Sequence, residues 1–292
     1  MMLAATAIGI SLAITRGAGL VSLAAAGFVP QRTADGQPNI QGLWRHRAVG
    51  NATYDLEGGS TPAHVVLSAG CSQGIANCEN EPVAGENMGR RPKVIVDPPG
   101  GKIPYQPWAA AKKDQLRHDH VNPRTMAEID PQERCFLPGV PRMTYSEYAS
   151  FQITQSPGYV MIAYEYTHAF RVIPIDGRPH PGDNIKLWMG DSRGRWEGNT
   201  LVVDTTNNND QTWLDIVGTF HSNALHVVER FTIVDQNRME YEATIEDPTV
   251  FTRPWKIAFP ILRSADKAYE MMEMACVEGD QGVQHMLNRP LK

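Results

Sequence analysis

Little in this chain points to a cofactor, a nucleic acid or a bilayer. Its 292 residues carry 27 Lys and Arg against 32 Asp and Glu, a formal net charge of −5. That balance gives no electrostatic case for nucleic acid or an anionic membrane surface as partner. No phosphate loop, dinucleotide-binding fingerprint or c-type haem motif occurs, so no cofactor is expected. The four cysteines, Cys71, Cys78, Cys135 and Cys276, include no C-x-x-C pair, and a zinc site is poorly supported. A serine nucleophile lacks its setting: Ser192 and Ser222 are available, but Gly190-Asp191-Ser192-Arg193-Gly194 reads as a turn, not a strand-to-helix elbow. Internal repeats and low-complexity tracts are missing too.

What is present is turn chemistry and short strands. With 25 Gly and 21 Pro, the chain is globular but frequently interrupted. Residues 1–26 stand apart: they hold one charge, Arg16, between two apolar segments that each fall short of the ~20 residues a spanning helix needs. Ala24-Ala25-Ala26 supplies small residues for cleavage, so 1–26 reads as an export signal, with the mature protein periplasmic or extracellular and not stably inserted in a membrane. An even cysteine count fits that compartment. Cys71 and Cys78 bracket a short polar loop and are expected to pair. Cys135 and Cys276 would then tie the middle of the chain to its last strand.

Residues 27–149 read as a first strand at Gly42-Leu43-Trp44, a long excursion, a hairpin around DPPGG with Val94 and Val96 alternating, and a helix over 107–118 opened by Pro107. Residues 150–292 read as strand after strand: FQITQ, YVMIAYEYTHAFRVI, RWEGNTLVVDTT, LHVVERFTIV, MEYEATIED, RPWKIAFPIL and AYEMMEMAC. Regular short strands with turn signals between them argue for a mainly β fold, and closure removes the exposed edges that such strands would leave. The expectation is one domain, an antiparallel lipocalin-like barrel, with 27–149 packed on it or over its mouth and one or two short helices.

DGQPNIQGLW, IPYQPWAAAKK, PQERCFLPGVPR, YEYTHAFRVIPIDGRPHP, MGDSRGRWEGNTLVVDTT and EDPTVFTRPW resemble a family of exported, largely uncharacterised bacterial proteins. The resemblance implies that these blocks belong to one compact fold. It implies no particular activity.

Candidate site residues come from ionisable groups inside apolar strands. Read as one strand, 159–170 sets Tyr164, Tyr166 and His168 on one face and Glu165 on the other, both faces covered. Covered ionisable groups must be paired or shift their pKa; alternatively Glu165 and His168 only hydrogen-bond to nearby loops. In HSNALHVVERF, residues 221–231, the hairpin register with MEYEATIED decides what points inward. Pairing Val234 with Met239 turns His226, Val228 and Arg230 in. Pairing Ile233 with Met239 turns in Glu229 with Leu225, Val227 and Phe231, and this register buries more apolar area.

His221 and His226, five apart, do not share a strand face, and His118-Asp119-His120 splays around a helix end; neither supports a metal. Asp204, co-facial with Val202, can aim into the barrel, and Trp213 and Asp215 lie near His221 in sequence. Arg253 either binds a carboxylate bidentately or stacks on a tryptophan to close the barrel.

These residues support a barrel that binds a small, partly apolar molecule. If it is an enzyme, His168 or His226 is the base of a cofactor-independent isomerase, lyase or hydrolase and Glu165 or Glu229 its partner, while Tyr164, Tyr166, Arg230, Trp213, Asp215 and His221 line the substrate. The rival is a non-catalytic carrier of a small hydrophobic ligand. A third class, a structural domain, leaves the barrel filled by its own side chains. Several ionisable groups converging on one cavity favour catalysis, and an isolated polar group favours carriage.

Overall fold

The computed structural model describes residues 28–46, 55–57, 94–121, 123–146, 150–264, 268–272, 274–276 and 281–288. The expected export signal over 1–26 and the expected pairing of Cys71 with Cys78 lie outside the described residues. Among the described residues there are ten strands: β1 Gly42–His46, β2 Ile95–Asp97, β3 Ser150–Ser156, β4 Tyr159–Tyr164, β5 Phe170–Pro174, β6 Asp191–Glu197, β7 Thr200–Thr206, β8 His226–Asp235, β9 Arg238–Glu246 and β10 Trp255–Arg263. Nine of them follow in the order β5-β4-β3-β1-β10-β9-β8-β7-β6, every neighbouring pair antiparallel, and the short β2 adds to β10. The result is a nearly closed barrel.

Alternation writes the barrel wall. In β8, Val227, Glu229, Phe231 and Ile233 are buried, while His226, Val228, Arg230 and Thr232 between them are not. In β9, Met239, Tyr241, Ala243 and Ile245 face in and the glutamates face out. Ile233 pairs with Met239, so the register is the one that turns Glu229 inward. Tight turns join the hairpins, with Gly158 at φ +81° and Gly198 at φ +60°, where a Cβ would be strained.

β5 and β6 end the strand order and meet without a ladder. Their contact is made by side chains: a Cβ on Gly194 of β6 would sit 2.8 Å from Ile173 Cγ2 of β5 and from Ile175 Cγ2. This seam is the one place where hydrogen-bonded pairing does not close the wall.

Both ends of the barrel are covered. At one, Gln155 of β3 donates to Pro38 O (3.1 Å) and accepts from Ile40 N (2.8 Å), and Asn199 Nδ2 of the β6–β7 turn donates to Phe28 O (3.0 Å). At the other lie the helix α1, Pro107–Val121, the short helix α2, Arg142–Tyr145, and the connection 207–225. Among the described residues no helix is long and apolar enough to cross a membrane.

Four expectations change. YVMIAYEYTHAFRVI is two strands, because Thr167 and His168, at φ +54° each, reverse the chain between β4 and β5. DSRG is the start of β6, not a turn. Val94 and Val96 flank no hairpin; Ile95–Asp97 pairs with β10 instead. AYEMMEMAC forms no strand among the described residues; Met274 makes a single parallel bridge with Tyr166.

Cys135 and Cys276 are bonded, 141 residues apart. The bond fixes the C-terminal stretch beside the β4–β5 turn, where Met274 N donates to Glu165 O (3.2 Å) and Thr167 N to Met274 O (3.3 Å). Closing so long a loop restricts the unfolded chain, so Cys276→Ser is expected to destabilise the protein by about 2–4 kcal/mol in denaturant titrations. An unchanged midpoint would mean that the bond constrains little.

Candidate functional site

The barrel interior has a polar wall and an aromatic wall. The polar wall spans the seam: Arg171 of β5, Ser192 of β6, Thr205 of β7 and Glu229 of β8, all buried. The Arg171 guanidinium donates through Nη2 to Glu229 Oε2, to Ser192 Oγ (2.9 Å) and to Thr205 Oγ1 (3.1 Å). Glu229 Oε1 accepts from the Tyr241 hydroxyl (2.8 Å) and from Thr144 Oγ1 (3.4 Å), the threonine coming down from α2. The aromatic wall lies opposite in the strand order, with Phe151 of β3, Tyr164 of β4, Tyr241 of β9 and Phe259 of β10. Ring centroids are 5.6 Å apart for Phe151 and Tyr164, and 4.7 Å for Tyr241 and Phe259.

Burial opposes the charge on Arg171, but the adjoining Glu229 carboxylate outweighs it and raises the guanidinium pKa. Burial also pushes the Tyr164 phenol up, with the Arg171 charge pulling the other way, and pushes up Tyr241, there reinforced by Glu229. All three therefore hold their protons. Arg171 and Thr144 both approach the Tyr164 hydroxyl closely enough to interact with it, but Arg171 Nη1 and that hydroxyl make no well-aligned hydrogen bond to a described protein atom.

Above the interior sits a second buried network, which absorbs other expected lining residues. Asp215 is tied to Lys113 of α1 (3.3 Å) and to Thr219 N (2.8 Å) and its hydroxyl (2.6 Å). Arg142 holds Asp130 with both terminal nitrogens and reaches the carbonyl of Trp213 (3.3 Å). Tyr166 donates to Gln132 O (2.8 Å). His221 is buried against Thr212 Oγ1 (2.7 Å) and Ser222 O (2.9 Å), and burial lowers its pKa. Trp213, Asp215, Tyr166 and His221 thus fasten the covering segments.

The remaining candidates face outward. Once Glu229 points in, strand parity sends His226 and Arg230 out. Arg230 pairs with Glu197 (2.9 Å). Asp204 is on the outer face too, opposite Val228, and bridges His226 Nε2 (3.1 Å) and His180 Nε2 (3.0 Å). His180 Nδ1 meets Asp191 (2.7 Å), and His226 Nδ1 lies 3.7 Å from Glu246. His168 is exposed on the β4–β5 turn, and Glu165 is half-buried, accepting from Tyr269 and from Met272 N (3.1 Å). Arg253 makes a bidentate pair with Asp97 (3.0 Å to each oxygen) and stacks on no tryptophan; Arg263 lies over Trp44 instead, at 4.1 Å. Neither His168 nor His226 sits beside Glu229, whose partners are Arg171, Tyr241 and Thr144, so the expected pairs of those histidines with Glu229 do not form. Among the described residues no group of three His, Cys, Asp or Glu side chains can hold a metal ion.

Arg171, Thr205, Tyr241 and Thr144 are the interior residues that sequence reasoning passed over. A signal for Arg171 existed: an inward Glu229 needs an inward cation, and FRVI supplies one once the strand is broken before Phe170.

Two outcomes are expected. Arg171→Met strands the Glu229 carboxylate and should cost about 3–5 kcal/mol in chemical denaturation, most of it recovered by adding Glu229→Leu. Glu242→Gln, which breaks only the outer-face pair with Lys256 (2.8 Å), should cost under about 1 kcal/mol. A single Arg171 variant as mild as that would mean the pair does not hold the seam.

The outer cluster sets a pH dependence. The hydrogen bond that His226 donates to Asp204 raises His226 above 6.5, and the same bond lowers Asp204 below 3.8. The His226 contribution is complete below 6.5 and is lost as pH rises through its raised value; the Asp204 contribution is complete above 3.8 and is lost as pH falls through its lowered value. His226→Gln should therefore destabilise at about pH 5 and have little effect at about pH 9, compared by denaturant midpoints. A larger loss at the higher pH would contradict the pairing.

Compared with protein-family models, with curated proteins and with solved structures, the chain matches none, so its function is read from this geometry.

Proposed function

We propose that this chain is an exported protein that binds a small, partly apolar molecule inside its barrel and carries it without chemical change. One observation carries the reading: Arg171 Nη1 and the Tyr164 hydroxyl are neighbouring buried donors without a well-aligned hydrogen bond to a described protein atom, beside an aromatic wall. Buried donors left unpaired are costly, and a bound acceptor removes the cost. Ligand sites are mostly apolar with a few converging polar groups, which is the composition of this interior.

Carriage is favoured over acid-base catalysis because the ionisable pair is spent on itself. Glu229 receives Arg171, Tyr241 and Thr144 and has little capacity left to take a substrate proton. The imidazoles at His168 and His226 are on the outer surface, beyond reach of an interior substrate. Export is supported by the Cys135–Cys276 bond and by the character of residues 1–26. The partner on this reading is a small molecule, not a nucleic acid or a bilayer.

Native mass spectrometry of the mature protein from an exporting host, beside a denatured sample, tests this. A mass excess that vanishes on denaturation is expected and names the ligand's mass. Equal masses, together with no shift in thermal midpoint across a library of small aromatic compounds, would overturn the reading.

A further inference from the structure

The charge balance of the interior specifies what kind of molecule it accepts. Among the described residues, Arg171 and Glu229 are the two buried charged groups on the strands, and they pair with each other. The interior is therefore neutral overall before anything enters. A ligand carboxylate would add a negative charge beside Glu229 in a site where Arg171 is already neutralised, and no further cation lines the strands to offset it. Anions are disfavoured for that reason.

The free hydrogen-bonding capacity has a defined sense. A guanidinium nitrogen can only donate, so Arg171 Nη1 requires an acceptor. The Tyr164 hydroxyl, held protonated by burial, offers a second donor. Register sets the two side by side: Ile162 of β4 pairs with Arg171 of β5, and Tyr164 is two residues further along the same face of β4. Two neighbouring donors could serve the two lone pairs of one carbonyl oxygen. Across the barrel, Tyr241 and Phe259, with Tyr145 descending from α2 at 6.1 Å from Phe259, present ring surface.

We propose that the interior takes a neutral, ring-bearing molecule through a carbonyl-type oxygen that accepts from Arg171 Nη1 and the Tyr164 hydroxyl. This rests on the interior-binding reading above and narrows it to a chemical class. Glu229 acts as a positioning residue: it orients the guanidinium and cancels its charge, so that Nη1 serves as a hydrogen-bond donor without attracting anions.

Three probes of similar size separate the alternatives: acetophenone, its hydrocarbon counterpart α-methylstyrene, and benzoate. Each is titrated by calorimetry into the full mature chain, using protein whose native mass equals its sequence mass. Acetophenone is expected to bind about ten-fold more tightly than either of the others, the equivalent of one net hydrogen bond. Tyr164→Phe, which keeps the ring and the packing, should abolish most of the advantage over α-methylstyrene while leaving α-methylstyrene itself unchanged. Benzoate binding tightest would overturn the neutral-acceptor inference and leave interior binding standing. So would equal affinities for acetophenone and α-methylstyrene, or a Tyr164→Phe variant that keeps the full preference. Failure of all three probes to bind would overturn the interior-binding reading as well.

Discussion

The barrel depends on what closes the seam between β5 and β6. Eight of its neighbour relations are ladders, and a ladder fixes both distance and register. Across the seam that task falls to Arg171, whose guanidinium spans from β5 to side chains on β6, β7 and β8. The close approach of Ile173 and Ile175 to Gly194 adds packing but little direction. Planar, directional donors supply the register that the missing backbone bonds cannot.

That choice determines the chemistry of the interior. A guanidinium placed across the seam needs a buried carboxylate, and Glu229 on β8 provides it at the cost of desolvating both ions. The carboxylate in turn draws the Tyr241 hydroxyl and Thr144, so one polar network reaches from the wall to the covering helix α2. The covering segments repeat the principle with Asp215 on Lys113 and Asp130 on Arg142, which fasten α1 and α2 over the same end of the barrel. In all three places a buried charge is met by its opposite through hydrogen bonds.

Much of the wall was legible in the sequence because alternation is a local property. MEYEATIED sorts into an apolar and an acidic face without any knowledge of its neighbours, and β9 follows that sorting residue by residue. The inward turn of Glu229 was legible at one remove, through the apolar area that its register buries. The strand 159–170 was misread because Thr167 and His168 carry no turn signature in their side chains. Their left-handed backbone comes from the chain reversal itself, and it shifts parity so that Arg171, not Phe170, faces in. Asp204 and His226 are expected inside because ionisable residues in apolar strands commonly mark sites. Here they pair with each other on the outer face, which no single-strand pattern reveals. The partner of Glu229 is 58 residues away in sequence and on another strand pair, so spacing alone could not supply it.

Stability alone does not account for an interior ion pair, since well-packed apolar residues of similar volume often do as well or better. Two further roles remain for the Arg171–Glu229 pair, and they are compatible. Pairing across a seam without backbone bonds excludes a slipped β5, because a shift of one residue would turn Arg171 out and leave Glu229 buried with no cation. The same pairing holds one guanidinium nitrogen facing the interior with its charge already balanced. A barrel closed by an apolar seam would lose that donor; one closed by backbone ladders would have no need of the arginine. On the proposed reading, closure and recognition draw on the same side chain, which would tie the specificity of the interior to the integrity of the wall.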